Sequence, residues 1–70
     1  MGNPMMDDII YRMSSVVFQC NMTMKYHVKL TDKVTGEGYN FSYDIYKVSE
    51  PTKAITMSLQ SLAVQWSPNP

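Results

Sequence analysis

The stretch Val16-Val17-Phe18-Gln19-Cys20-Asn21-Met22-Thr23-Met24-Lys25-Tyr26-His27-Val28-Lys29-Leu30-Thr31 alternates apolar and polar residues over nearly its whole length. Val16, Phe18, Cys20, Met22, Met24, Tyr26, Val28 and Leu30 are apolar, the residues between them are polar, and Val17 alone breaks the pattern. A period of two sends successive side chains to opposite faces of a strand. The pattern therefore predicts one long ribbon, or two strands in series, with an apolar face and a polar face.

A second strand follows across Asp32-Lys33-Val34-Thr35-Gly36-Glu37-Gly38, where two glycines offer the left-handed conformations of a hairpin loop. In Tyr39 to Val48 the residues Tyr39, Phe41, Tyr43 and Ile45 alternate with Asn40, Ser42, Asp44 and Tyr46. A loop centred between Val34 and Thr35 pairs Leu30 with Tyr39, Val28 with Phe41, Tyr26 with Tyr43 and Met24 with Ile45, all on one face. That register sets Lys25 opposite Asp44; a slip of two residues would set His27 there instead.

Upstream, Ile9, Ile10, Met13, Val16 and Val17 recur at helical spacing over Asp7 to Val17, with Asp7-Asp8 suited to the positive end of a helix. The rival is a strand joined through Ser14-Ser15, which is poor chemistry for a two-residue hairpin turn. Downstream, Ser49-Glu50-Pro51-Thr52 opens a helix that runs to about Trp66, with Pro68 and Pro70 beyond it. Its stripe of Ile55, Leu59, Leu62 and Trp66, helped by Ala54 and Ala63, is fit to pack on the sheet.

The expected fold class is therefore α+β: a short N-terminal helix, an antiparallel hairpin with a long first strand or a three-stranded meander, and a C-terminal helix on the sheet. Residues 1–5 read as a disordered leader, 6–67 as one small domain and 68–70 as a tail. The first strand outruns its partner. Val16 to Met22 needs another neighbour, reached by bending back near Asn21 to Thr23 or by pairing with a second copy.

At 70 residues a core is small, and such chains are usually supplemented by disulfides, a metal or association. Cys20 is the sole cysteine, so an intrachain disulfide is excluded, and one Cys with His27 does not make a tetrahedral zinc site. Association, as a homodimer or on another protein, is the expected supplement. Six basic and six acidic residues give a net charge of zero, which argues against nucleic acid as the partner. No apolar run approaches the roughly 20 residues of a membrane span, and no export signal opens the sequence, so a cytoplasmic location is expected. Asn21-Met22-Thr23 and Asn40-Phe41-Ser42 fit the glycosylation pattern and are read as coincidence on polar strand faces.

No catalytic constellation, cofactor motif or phosphate loop is present, and the expectation is a non-enzymatic protein needing no cofactor. Cys20, Met22 and Met24 share one apolar parity and are read as core packing, with His27 on the opposite face from Cys20. Two groups remain as candidate partner-binding residues. Lys25, His27 and Lys29 form a short basic strip on the strand, with Asn40 and Tyr46 nearby. Met57 and Val64, with Gln60 and Ser61 between their turns, lie off the buried stripe of the last helix. The functional expectation is a protein-binding module, of the inhibitor or accessory kind that phages and mobile elements encode. It would present the long strand together with the flank of the last helix. The alternatives are a nucleic-acid-binding regulator using Lys25, Lys29, Lys33 and Lys47, and an assembly subunit whose free strand pairs with its neighbour.

Overall fold

A computed structural model describes residues 4–66 as an α+β fold. Helix α1 (Pro4–Arg12) leads directly into β1 (Met13–Cys20), followed by β2 (Lys25–Asp32), β3 (Gly38–Asp44) and helix α2 (Pro51–Trp66). The three strands form an antiparallel meander in the order β1-β2-β3. The expected leader at residues 1–3 and the tail at 68–70 lie outside the described residues, while Pro4 and Met5 belong to α1.

The long ribbon is not one strand. Of the two expected routes it takes the bend-back: the chain reverses at Asn21–Met24 and pairs with its own continuation, Cys20 opposite Lys25 through Met13 opposite Asp32. Met24 closes this turn at φ 56°, the one non-glycine residue with positive φ among the described residues. A side chain there costs about 1–2 kcal/mol relative to ordinary backbone, and nothing in the sequence pattern announces it.

This turn decides which face each residue takes. Partners across β1 and β2 have opposite parity, so even-numbered residues of β1 share a face with odd-numbered residues of β2. Val16, Phe18 and Cys20 therefore lie with Lys29, His27 and Lys25, opposite Tyr26, Val28 and Leu30. Val17, the apparent defect in the alternation, packs against the core from opposite Val28.

The β2–β3 register is the expected one, with Leu30 opposite Tyr39, Val28 opposite Phe41 and Tyr26 opposite Tyr43. Ile45 N donates to Met24 O at 3.0 Å, just past the strand ends. Of the two loop glycines, Gly36 has φ 82° and its N–H donates to Asp32 O at 2.7 Å, whereas Gly38 simply begins β3. The third strand is shorter than expected: Lys47 N and Val48 N both donate to Asp44 O, turning the chain at Ile45–Lys47 and placing Tyr46 outside the sheet.

The N-terminal helix forms as expected but stops at Arg12, so Met13 to Val17 belong to the strand. Ile9 and Met13 are buried against the second helix and the sheet, while Ile10 is exposed. On α2 the buried line is Ala54, Ser58 and Leu62, with Ile55, Leu59 and Ala63 half-buried beside it. The predicted stripe is rotated by part of a turn. Its centre admits Ser58 because Ser58 Oγ donates to the carbonyl of Ala54 at 2.8 Å and lies 3.2 Å from Tyr43 Oη. The expected contribution of the Trp66 side chain lies outside the described residues.

Asp32 ties the end of α1 to the end of β2 and to the loop that follows it. It is 1% exposed, and its carboxylate accepts from Arg12 Nη2 at 2.9 Å and Nε at 3.3 Å. Oδ1 also accepts from the backbone N–H groups of Val34 at 2.8 Å and Thr35 at 3.2 Å, which shapes the β2–β3 loop. Burial pushes this carboxyl up, but the Val34 N–H, the Arg12 guanidinium and the Thr35 N–H together outweigh it, and the net shift is downward.

Candidate functional site

With α2 packed on Tyr26, Val28 and Leu30, the opposite face of the meander has no element of the described chain over it. Its cross-strand rows are Ser14-Thr31-Gly38, Val16-Lys29-Asn40, Phe18-His27-Ser42 and Cys20-Lys25-Asp44. Val16 and Phe18 are each 57% exposed and stand two residues apart on the outer strand. The ring of Phe18 stacks on His27 with centroids 5.2 Å apart and planes inclined by 24°. On its other side His27 Nδ1 lies 3.1 Å from Ser42 Oγ.

Between these rows runs a groove of about 270 Å³, lined by Phe18, His27, Lys29, Asn40 and Ser42 among others. Lys29 is exposed and makes no ion pair among the described residues, so the groove carries an uncompensated positive charge beside an aromatic ring. One row away the electrostatics are closed. Lys25 Nζ lies 2.8 Å from Asp44 Oδ1, and the pair holds the Asp44 carboxyl below its usual range and the Lys25 ammonium above its own.

Cys20, Met22 and Met24 are not core. Cys20 is half-buried on the outer face, Met22 is 96% exposed and Met24 is exposed, because the turn carries them out of the strand phase. Cys20 and His27 therefore share a face rather than opposing one another. The Thr23 hydroxyl, followed by the backbone N–H groups of Thr23 and Met22, holds the Cys20 thiol below its ordinary range. Asn21 sits in the turn instead of on a strand face.

The basic strip is thinner than its sequence suggests. Lys25 is committed to Asp44, Lys47 lies 3.9 Å from the same carboxylate, and Lys33 sits past the end of β2 with its ammonium 5.7 Å from the Tyr11 ring centroid. Tyr46, outside the sheet, has the Lys47 ammonium 6.0 Å from its ring. His27 and Lys29 remain in the groove.

The helix candidates are exposed as well, Met57 by 41% and Val64 by 76%, with Gln60 on the same flank. They do not join the strand residues. α2 lies against the inner face of the sheet, so its exposed flank and the outer face are two separate surfaces. Sequence reasoning missed Val16 and Phe18, which it placed inside. The signal was Val17: an apolar residue out of phase marks where the core side of β1 actually lies.

Among the described residues no three His, Cys, Asp or Glu side chains gather into a metal-binding group, and no helix is long and apolar enough to cross a membrane. No family model, curated protein or solved structure matches the chain.

Proposed function

We propose that this chain acts by contact with another protein through the outer face of its sheet, without chemistry of its own. One observation carries the reading: two large apolar side chains, Val16 and Phe18, stand more than half exposed on a sheet face that the described chain leaves uncovered. A small apolar cluster rimmed by polar groups is the usual anatomy of a protein contact. Its rim sets the chemistry of the partner. The Phe18–His27 stack accepts an apolar or aromatic side chain, Lys29 favours an adjacent carboxylate, and Asn40 and Ser42 supply amide and hydroxyl groups for hydrogen bonds. Binding without turnover is the mode of an inhibitor or accessory factor.

Affinity capture with the full chain tests this. Phe18→Asp on β1 and Asn40→Glu on β3 are each expected to reduce partner capture about tenfold or more, while Val64→Asp on α2 leaves it unchanged. All three should keep the wild-type circular dichroism spectrum, since each position is exposed. Loss in Val64→Asp with full capture by the face variants would move the contact to the helix flank. Binding to single-stranded nucleic acid that falls steeply with added salt would replace the protein partner altogether.

A further inference from the structure

The free edge of β1 carries a signal separate from the outer face. Ile45 N donates to Met24 O at 3.0 Å and Asp32 N to Glu37 O at 2.8 Å, both in the β2–β3 register, so even-numbered residues of β2 bond toward β3. Lys33 N donates to Arg12 O at 2.9 Å in the β1–β2 register, so odd-numbered residues of β2 bond to even-numbered residues of β1. The peptide groups of Ser15, Val17 and Gln19 consequently point away from the sheet, along an outer strand.

Proteins normally guard such an edge with charge, proline or a bulge. From Met13 to Met24 the chain has no charged residue, no proline and no glycine, and the pairing of β1 with β2 runs without interruption. Ser15 and Gln19, whose side chains face the α2 side, are exposed, so that side leaves room beside the edge.

We propose that β1 pairs antiparallel with β1 of a second copy, centred on Val17, joining two meanders into one six-stranded sheet. The sequence of the edge is a palindrome in chemical type about that residue. Val17 meets Val17, Val16 meets Phe18 and Ser15 meets Gln19, like opposite like, while Ser14 meets Cys20 at the two ends and no charge stands opposite any group. Centring on Val16 would set Phe18 against Ser14 and Val17 against Ser15. Only registers that pair odd with odd keep the core faces on one side, and Val17 is the centre that matches every pair from Ser15 to Gln19.

In this register Ser15, Val17 and Gln19 exchange about six backbone hydrogen bonds with the second copy. Val16 and Phe18 fall at the non-hydrogen-bonded positions, where side chains approach most closely. The dimer gathers four apolar side chains into one patch on the outer face, doubling the contact surface described above. A single ladder is a small interface, so the dimer is expected to dissociate on dilution.

Light scattering of the full chain over a wide concentration range tests the pairing, without any partner, so its outcome is separable from the capture experiment. Wild type should approach twice the monomer mass at high concentration. Ser15→Pro removes an edge-facing N–H while leaving the β2 ladder intact and should weaken association about tenfold or more. Ser14→Cys should form a disulfide-linked dimer with Cys20 of the second copy under oxidised glutathione. Within one copy those positions are six residues, about 20 Å, apart along the strand. Wild type, with Cys20 alone, should not cross-link. A monomeric wild type at every concentration would overturn the proposal, and so would a dimer that is indifferent to Ser15→Pro or that links Cys20 to Cys20.

Discussion

Leu30→Ala is expected to remove about 2–5 kcal/mol of stability, and Val16→Ala less than about 1 kcal/mol. Both residues share the apolar parity of one alternation that only Val17 interrupts, and a straight ribbon would bury them alike. In the folded chain Leu30 is fully buried on the central strand, held by ladders to β1 and β3, so the space left by alanine cannot close by a shift of one edge. Val16 faces outward and loses little on truncation. A chain of this length has roughly 4–10 kcal/mol of total stability, so Leu30→Ala should unfold a large part of the population at modest urea concentration. Equal losses in urea denaturation of the two variants would contradict the chain reversal at Asn21–Met24.

The second large effect concerns acid. Asp32 and Asp44 both titrate below the ordinary 3.8 in the folded chain. Through the window beginning about a unit above that value, the unfolded chain binds more protons than the folded one, so stability falls as pH is lowered. The loss continues down through the folded-state values, where Arg12 gives up its ionised partner and Lys25 its own. Asp32→Asn should lower the urea midpoint at neutral pH, because Arg12 then faces a neutral amide in a buried site. It should also flatten the acid profile, leaving the smaller slope due to Asp44. Denaturation midpoints at pH 3, 5 and 7 check both points, and a wild-type chain that gains stability on acidification would contradict the assignment.

Much of the fold was legible because hairpin chemistry is local. The loop at Asp32–Gly38 and the alternation of Tyr39, Phe41 and Tyr43 narrowed the β2–β3 register to two choices a slip of two residues apart, of which the structure shows the one with Lys25 opposite Asp44, and Pro51 opened the last helix where expected. The β1–β2 turn was legible only as one of two routes, a bend near Asn21 to Thr23 or pairing with a second copy, and the sequence did not decide between them. Asn21-Met22-Thr23-Met24 contains no glycine, and Met24 enters the left-handed region against its own preference, stabilised by tertiary pairing rather than by turn chemistry. That one reversal inverts the parity of everything before it, which is why Val16 and Phe18 were assigned to the core and Val17 to the exception. Ser58 was missed for a different reason: a serine is invisible to a hydrophobic stripe, yet it fits a buried helix position when the carbonyl four residues back accepts its proton and a tyrosine hydroxyl lies beside its oxygen. Asp32 looked like ordinary loop polarity. Its distant partner, Arg12, becomes a neighbour only through the β1–β2 pairing that places Met13 opposite Asp32.

The candidate site followed the same division. His27 and Lys29 were placed correctly on the polar face of β2, but the aromatic and aliphatic residues beside them came from a strand whose phase the turn had reversed. The most direct measurement of the proposed contact is photo-crosslinking in the cell that makes the protein, with a benzophenone amino acid placed in turn at positions 18, 57 and 64. Contact through the outer face predicts adducts from position 18 to a protein other than a second copy of this chain, and none from 57 or 64. Adducts from 57 or 64 with none from 18 would contradict it.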